Sequence, residues 1–423
     1  MLDTLKEVFN EIDNLDREKV MELMRKVINI DTSVPPGDKY REFLDIIKPD
    51  FEKLGLSCEE VIVPEELIKE IPLALEGPRI NLVATKDFGQ NDYVSFYAHM
   101  DVVPAPKEGW KFDPFEATMI KSGKIFGRGV ADMKGAIPCL IMALQFIEQF
   151  NLTPKFNIRV LLCTDEEIGI WPGVRYLKEK GYVKGIVYNM DAVNSPIIPV
   201  GSGGDLDVVI ETHGQSCHSG VNFMGVNALE EMIPIMNELI ALKRIVEERE
   251  SNDIPGFPRP GTGEMRNMFP MFNLDIIRAG EKANIVPDLC TLTVNRRFIP
   301  DEKVEDVKQE ILEAIERGKA KSKALEVKTY FMYNYPAVRI DPSSPASTRM
   351  KKVLSLVQNI PEEKILTIGM SGSTDMGFLT DHDMVIRGVG SAGSKQHGVN
   401  ENIRLRDVKL FIKEIISFLC IEL

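Results

Sequence analysis

The chain reads as an α/β protein whose central sheet is flanked by helices and whose course is interrupted by a smaller α+β insertion. Two observations support this. Short apolar runs, Ile80–Thr85, Val94–Ala98, Phe156–Thr164 and Gly185–Asn189, alternate with helical patterns such as 134–150, as in a sheet built through crossover connections. Between 203 and 333 the pattern changes to longer alternating strands and two helices, and afterwards the first pattern resumes. Residues 1–202 and 334–423 are therefore expected to form one domain, with 203–333 inserted as a second.

The elements follow in order. Residues 3–30 and 39–54 carry the apolar spacing of amphipathic helices, separated by the turn-forming Pro35-Pro36-Gly37-Asp38. The apolar runs after Arg79 predict strands. In such sheets ligands bind outside the carboxyl ends of the strands. The insertion opens near Gly201-Ser202-Gly203-Gly204, alternates over Asp205–Thr212, turns helical over 227–249 and crosses a Pro/Gly-rich stretch at 251–270. A strand at 289–298, a charged helix at 301–319 and a strand near 325–332 complete it. The return predicts a helix at 345–358, a loop at Gly369–Gly377, a strand at Met384–Gly388 and a last helix at 405–420.

A formal net charge of −13 gives a surface that repels a phosphate backbone, so no nucleic-acid partner is expected. No stretch approaches the roughly 18 apolar residues of a membrane span, so no membrane role is expected either. Six scattered cysteines without a C-x-x-C pair read as reduced thiols of a cytoplasmic protein. The glycine-rich segments Gly201–Gly204 and Gly369–Gly377 lack the Lys and Ser/Thr of a phosphate loop.

Chemistry concentrates at the ends of the apolar runs. His99-Met100-Asp101 closes one, Glu166-Glu167 follows a second and Asp191 a third, while Asp132 ends a glycine-punctuated stretch and His397 lies near the C-terminus. Two divalent ions about 3.5 Å apart need a carboxylate that binds both, with imidazole and carboxylate ligands outside the pair. Asp101 can orient the His99 ring. Neighbouring glutamates cannot both point the same way on regular backbone, so one can ligate while the other serves a water as general base. Taken singly, a His-x-Asp is a chance occurrence and paired glutamates usually mark a solvated face. The apolar run ahead of Glu166 argues against that here.

These motifs resemble those of the co-catalytic zinc aminoacylase and peptidase family, which includes succinyl-diaminopimelate desuccinylase, acetylornithine deacetylase, aminoacylase-1, carboxypeptidase G2 and carnosinase-type dipeptidases. The likeness rests on Ala98-His99-Met100-Asp101-Val102-Val103-Pro104, Gly127–Gly135, Asp165-Glu166-Glu167-Ile168-Gly169 and His397-Gly398-Val399-Asn400-Glu401. It implies a zinc-peptidase-like catalytic domain with an inserted dimerisation, or lid, domain. One ion would be held by His99, Asp132 and Asp191 and a second by Asp132, Glu167 and His397, with zinc first and cobalt or manganese as alternatives. Asp101 would support His99, and Glu166 would act as general base for a water shared by the ions.

The resemblance further implies a homodimer, with His218 reaching the partner subunit's site. Asn295 and Arg297 would meet a substrate carboxylate, and Gly372, Ser373 and Thr374 would form a substrate loop. The implied activity is hydrolysis of an N-acyl amino acid, desuccinylase- or deacetylase-like, with a metallo-dipeptidase or carboxypeptidase acting on short peptides as the alternative. A silent scaffold relative would be expected to lose Glu166 or Asp132, and both are present. Departures are Asp191, where desuccinylases usually carry Glu, and the long stretch 251–270, whose Arg259 or Arg266 is a candidate substrate contact. His213 and His382 are given no role.

Overall fold

A computed structural model describes residues 2–258, 261–391 and 393–422, which divide into two compact units. The first takes the described residues within 1–199, 340–367 and 378–423, the second those within 200–339 and 368–377. Sequence reading had placed the loop 369–377 with the larger domain. It groups with the second unit because its backbone is held there: Gly203 N–H donates to Gly372 O at 3.1 Å and Gly369 N–H to Pro255 O at 2.6 Å.

In the first unit a six-stranded sheet runs in the order Ser57–Ile62, Ile80–Lys86, Asn157–Cys163, Tyr93–His99, Ile186–Asn189, Met384–Ile386. The last four are mutually parallel, and the first two join antiparallel at one edge. The parallel strands are apolar on both faces, because helices cover both: every residue from Val94 to His99 is buried. The crossover helix Ala136–Gln149 is buried over almost its whole length, which explains its apolar composition. The antiparallel strand Ser57–Ile62 escaped sequence reading because only Val61 of its six residues is buried.

The predicted N-terminal helical region is two helices, Leu2–Asp13 and Arg17–Ile28, the second capped by Asp16, whose carboxylate accepts the Glu18 N–H. The closing helix Leu405–Cys420 is tied to strand Met384–Ile386 by a fully buried Arg387–Glu414 pair with nitrogen and oxygen 3.0 Å apart. No described helix is long and apolar enough to cross a membrane.

The second unit is an antiparallel sheet ordered Met271–Ala279, Leu289–Phe298, Gly204–His213, Glu326–Tyr335. One face packs Leu206, Val208, Ile210, Leu292 and Val294 against helices Ala228–Val246 and Val304–Lys319. The period-2 alternation of strand Gly204–His213 is that division between an apolar and a polar face. Strand Met271–Ala279 was not anticipated, since its burial is irregular and a bulge lies between Leu274 and Ile276.

Candidate metal centre

The carboxyl ends of the parallel strands bring the first unit's acidic and imidazole side chains together. His99 is the last residue of its strand and fully buried. Its Nδ1 lies 3.0 Å from the Asp101 backbone oxygen, an acceptor that makes Nδ1 the donor and leaves Nε2 to carry a proton or, once that is displaced, to ligate a metal. That Nε2 stands 3.3 Å from Asp132 Oδ1. The other oxygen, Asp132 Oδ2, lies 3.0 Å from His397 Nε2, which is also 3.0 Å from Glu167 Oε2. One carboxylate thus faces two imidazoles, one oxygen to each. His99, Asp132 and Glu167 each place a ligand atom within 4.8 Å of the others.

The loops that carry these groups are braced. Glu401, which the sequence reading named only within its motif, is buried and accepts N–H groups from Gly129, Ala131 and Asp132 and an Arg128 guanidinium at 2.7 Å. Arg128 also donates to the His397 carbonyl at 3.2 Å, so a single clasp holds the Asp132 and His397 loops. Gly129 is obligatory in this turn: at φ +85° a Cβ would stand 2.7 Å from Val102 Cγ1.

The Glu166–Ile168 turn is held from below. Asp165, in left-handed backbone at φ 62°, lies 3.3 Å from the buried Arg79 guanidinium and accepts the Tyr40 hydroxyl at 3.1 Å. The Glu167 N–H donates to Asp101 Oδ2 at 2.9 Å. Glu166 is buried, and its charge acts on His99. Asp191 follows strand Ile186–Asn189 and is half-buried, with its N–H given to the Asn189 side chain at 2.6 Å. No sequence signal marked Arg79 or Tyr40, which lie far from the motif in the chain.

The electrostatics call for cations. Burial disfavours protonation of His99, yet Asp101, Asp132 and Glu166 outweigh it and hold its pKa well above that of an ordinary imidazole. Hydrogen bonds donated to Asp132 and Glu167 push His397 up to about 10. Burial opposes ionisation of Asp132, but His397 and His99 keep its carboxyl well below the usual range. Burial, then the Asp132 charge, raises Glu167. In the protein alone, protons on the imidazoles balance the carboxylates; divalent ions can take their place. His99 Nε2 and Glu167 Oε1 are buried without a hydrogen-bond partner, as ligand atoms for a metal would be, and so is Asp101 Oδ1, 3.6 Å from His99 Nδ1. The nitrogen and oxygen donor set suits zinc and its first-row neighbours.

Residues 95–419 match peptidase family M20/M25/M40. The chain belongs to that family. It is accordingly an enzyme, a metal-dependent hydrolase of amide bonds, with the family's mixed α/β fold. It is 26% identical to a probable succinyl-diaminopimelate desuccinylase of Staphylococcus aureus, over 96% of this chain and 98% of the relative. It shares its fold with the dipeptidase Dug1p of Saccharomyces cerevisiae (TM-score 0.75, 17% identity, 98% and 97% of the two chains). The metallo-carboxypeptidase Sso-CP2 of Sulfolobus solfataricus is similar too (TM-score 0.74, 21% identity, 96% and 98%).

The remaining predicted residues of this M20/M25/M40 member lie in the second unit. On the polar face of its sheet, the Asn295 amide donates to Asp205 and to Asp207, both at 2.7 Å, and its oxygen accepts Arg297 Nε at 3.2 Å. Sequence reading expected Asn295 to meet substrate. In this structure its amide N–H groups are taken by Asp205 and Asp207, and its oxygen meets Arg297. Arg297 also donates to Ser373 Oγ at 2.6 Å, and Ser373 donates to Gly203 O. Gly372 is exposed, whereas Thr374 is buried and its hydroxyl accepts the Met376 N–H.

His218 is exposed, and its Nδ1 accepts the Gly220 N–H at 3.0 Å. Arg266 pairs with Glu250 at 2.8 Å and lies 3.8 Å from the centre of the Phe269 ring, so it staples its own loop and is not a free substrate contact. Arg259 lies outside the described residues. His213 pairs with Glu211, and His382 meets the Gly185 carbonyl. All six cysteines are free thiols, four of them buried.

Proposed function

We propose that the chain removes the acyl group from a small N-acyl amino acid, desuccinylase- or deacetylase-like, with two divalent ions, zinc before cobalt or manganese. The observation that carries this reading is the Asp132 carboxylate between His99 and His397. His99, Asp132 and Asp191 would hold one ion and Asp132, Glu167 and His397 the other. When bound, such ions would supply Lewis-acid polarisation of the amide carbonyl and lower the pKa of water toward neutrality. Glu166 takes the proton from the attacking water and delivers it to the leaving amine. Asp101 keeps His99 in the tautomer that offers Nε2. Arg297, oriented by Asn295 and Asp205, grips the substrate carboxylate through its planar fork, and Gly372, Ser373 and Thr374 line the same subsite.

His218, exposed in its unit with Nδ1 held by the Gly220 N–H, serves the site of a second copy in a homodimer. The similarity to a desuccinylase supports an acyl substrate and a place in amino-acid biosynthesis, and the reduced thiols support the cytoplasm. A metallo-dipeptidase is the second reading, favoured by Asp191, the residue found in dipeptidases of the resembled family. Turnover of zinc- or cobalt-loaded protein on N-succinyl, N-acetyl and dipeptide substrates, with bound metal counted in the same sample, separates the two. About two ions per chain and preference for an N-acyl substrate is the expected result. Preference for dipeptides selects the second reading, and absence of both metal and turnover after reconstitution overturns both.

A further inference from the structure

A second charged feature of the first unit plays no part in that chemistry. A pocket of about 530 Å³ opens where strand Asn402–Arg404 runs into helix Leu405–Cys420. Arg17, Lys124, Arg404, Arg406 and Lys409 line it, and no carboxylate does. On a chain of net charge −13, five cations converging on one concavity is the reverse of what composition supplies.

Three of the five have modest partners. Arg406 lies 3.3 Å from Asp407, whose other oxygen already accepts the Ser391 hydroxyl. Lys409 donates to the Asp13 carbonyl at 2.7 Å and Arg17 to the Lys121 carbonyl at 3.3 Å, neutral acceptors that leave both charges uncompensated. The Asp13 carboxylate is itself taken by Lys413. Lys124 and Arg404 have no ion pair or side-chain hydrogen bond among the described residues, and they stand directly opposite one another in an antiparallel pair. Like charges at facing positions of two strands repel and destabilise the pairing unless something neutralises them. Burial lowers the pKa of Lys409, and repulsion from Arg17 and Lys413 adds to the effect against the pull of Asp13. The helix start, where Arg404 provides no side-chain cap, adds its partial positive charge to a field the side chains already dominate.

We propose that this pocket binds a small anion carrying two or more linked phosphate groups, either inorganic polyphosphate or the phosphate tail of a nucleotide. Three guanidinium forks can each take two phosphate oxygens, and two ammonium groups supply point charges between them. The Ser122 hydroxyl offers a further donor. No aromatic side chain lines the pocket, so it reads phosphates and not a base.

Isothermal titration of the metal-loaded protein with sodium triphosphate, ATP and citrate tests the proposal, beside the variants Lys124→Gln/Arg404→Gln and Arg406→Gln/Lys409→Gln. Chelation at the metal centre is common to all proteins, so differences between them report the pocket. Saturable triphosphate binding that weakens roughly tenfold or more in each variant, and falls as salt rises, is the expected result. Equal affinity for ATP and triphosphate identifies the phosphate tail as the whole ligand; tighter triphosphate binding identifies the inorganic source. Citrate binding as tight as triphosphate, or triphosphate binding unchanged in variants whose melting temperatures match the parent, would overturn it.

Discussion

In the first unit His99 Nε2, Asp101 Oδ1 and Glu167 Oε1 are buried with no hydrogen-bond partner. On the polar sheet face of the second unit, by contrast, the amides of Asn295 and Asn334 each donate to both Asp205 and Asp207, and Arg297 is held by Asn295 and Ser373. The first arrangement leaves polar atoms for a group from outside to complete. The second is complete without a ligand and spends its polar groups on fixing one guanidinium. Open ligand atoms beside a shared carboxylate fit a cofactor, whereas a closed network fits preorganisation.

Substitutions can break this contrast. His99→Ala removes an open ligand, and bound metal and turnover should disappear together, as elemental analysis and a steady-state assay on one sample would reveal. Glu166→Gln should lower kcat by roughly 10²–10⁴-fold while metal content stays near normal, because it removes a base and not a ligand. Metal loss in that variant would refute the assignment. Glu401→Gln leaves the Arg128 charge unpaired in the clasp. Metal affinity should weaken roughly 10–100-fold, with about 3–5 kcal/mol of stability lost, measured by metal-buffered titration and denaturant unfolding.

The closed network should respond differently. Asn295→Ala should keep both ions, raise KM more than it lowers kcat, and destabilise by about 1–3 kcal/mol through the carboxylates left facing each other. A fall in kcat at constant KM would separate Arg297 from substrate binding. Arg266→Ala should change KM least of all, since that guanidinium is committed to Glu250 and Phe269.

What the sequence could and could not disclose follows the same contrast. The parallel strands were legible because burial on both faces leaves an unbroken apolar run, as in Val94–Ala98, and the ligands stood directly after such runs. Strands Ser57–Ile62 and Met271–Ala279 were not, because half-exposed edge strands carry no run and the second is bulged. Glu401, Arg79 and Tyr40 were invisible in their roles, since a bracing residue is defined by what it touches across the chain. Asn295 was located, but its bonds to Asp205, Asp207 and Arg297 were not legible, because composition cannot tell which partners an amide meets across the sheet.

The Glu401–Arg128 clasp joins residues 273 positions apart. Translation proceeds from the N-terminus, so His99, Asp132, Glu167 and Asp191 leave the ribosome long before His397 and Glu401. Until they emerge, the proposed ligand set is incomplete and the Asp132 loop lacks its Glu401 brace. If Asp132 and His397 hold metal together as proposed, that metal requires the C-terminal segment, and a chain ending before His397 should lose it.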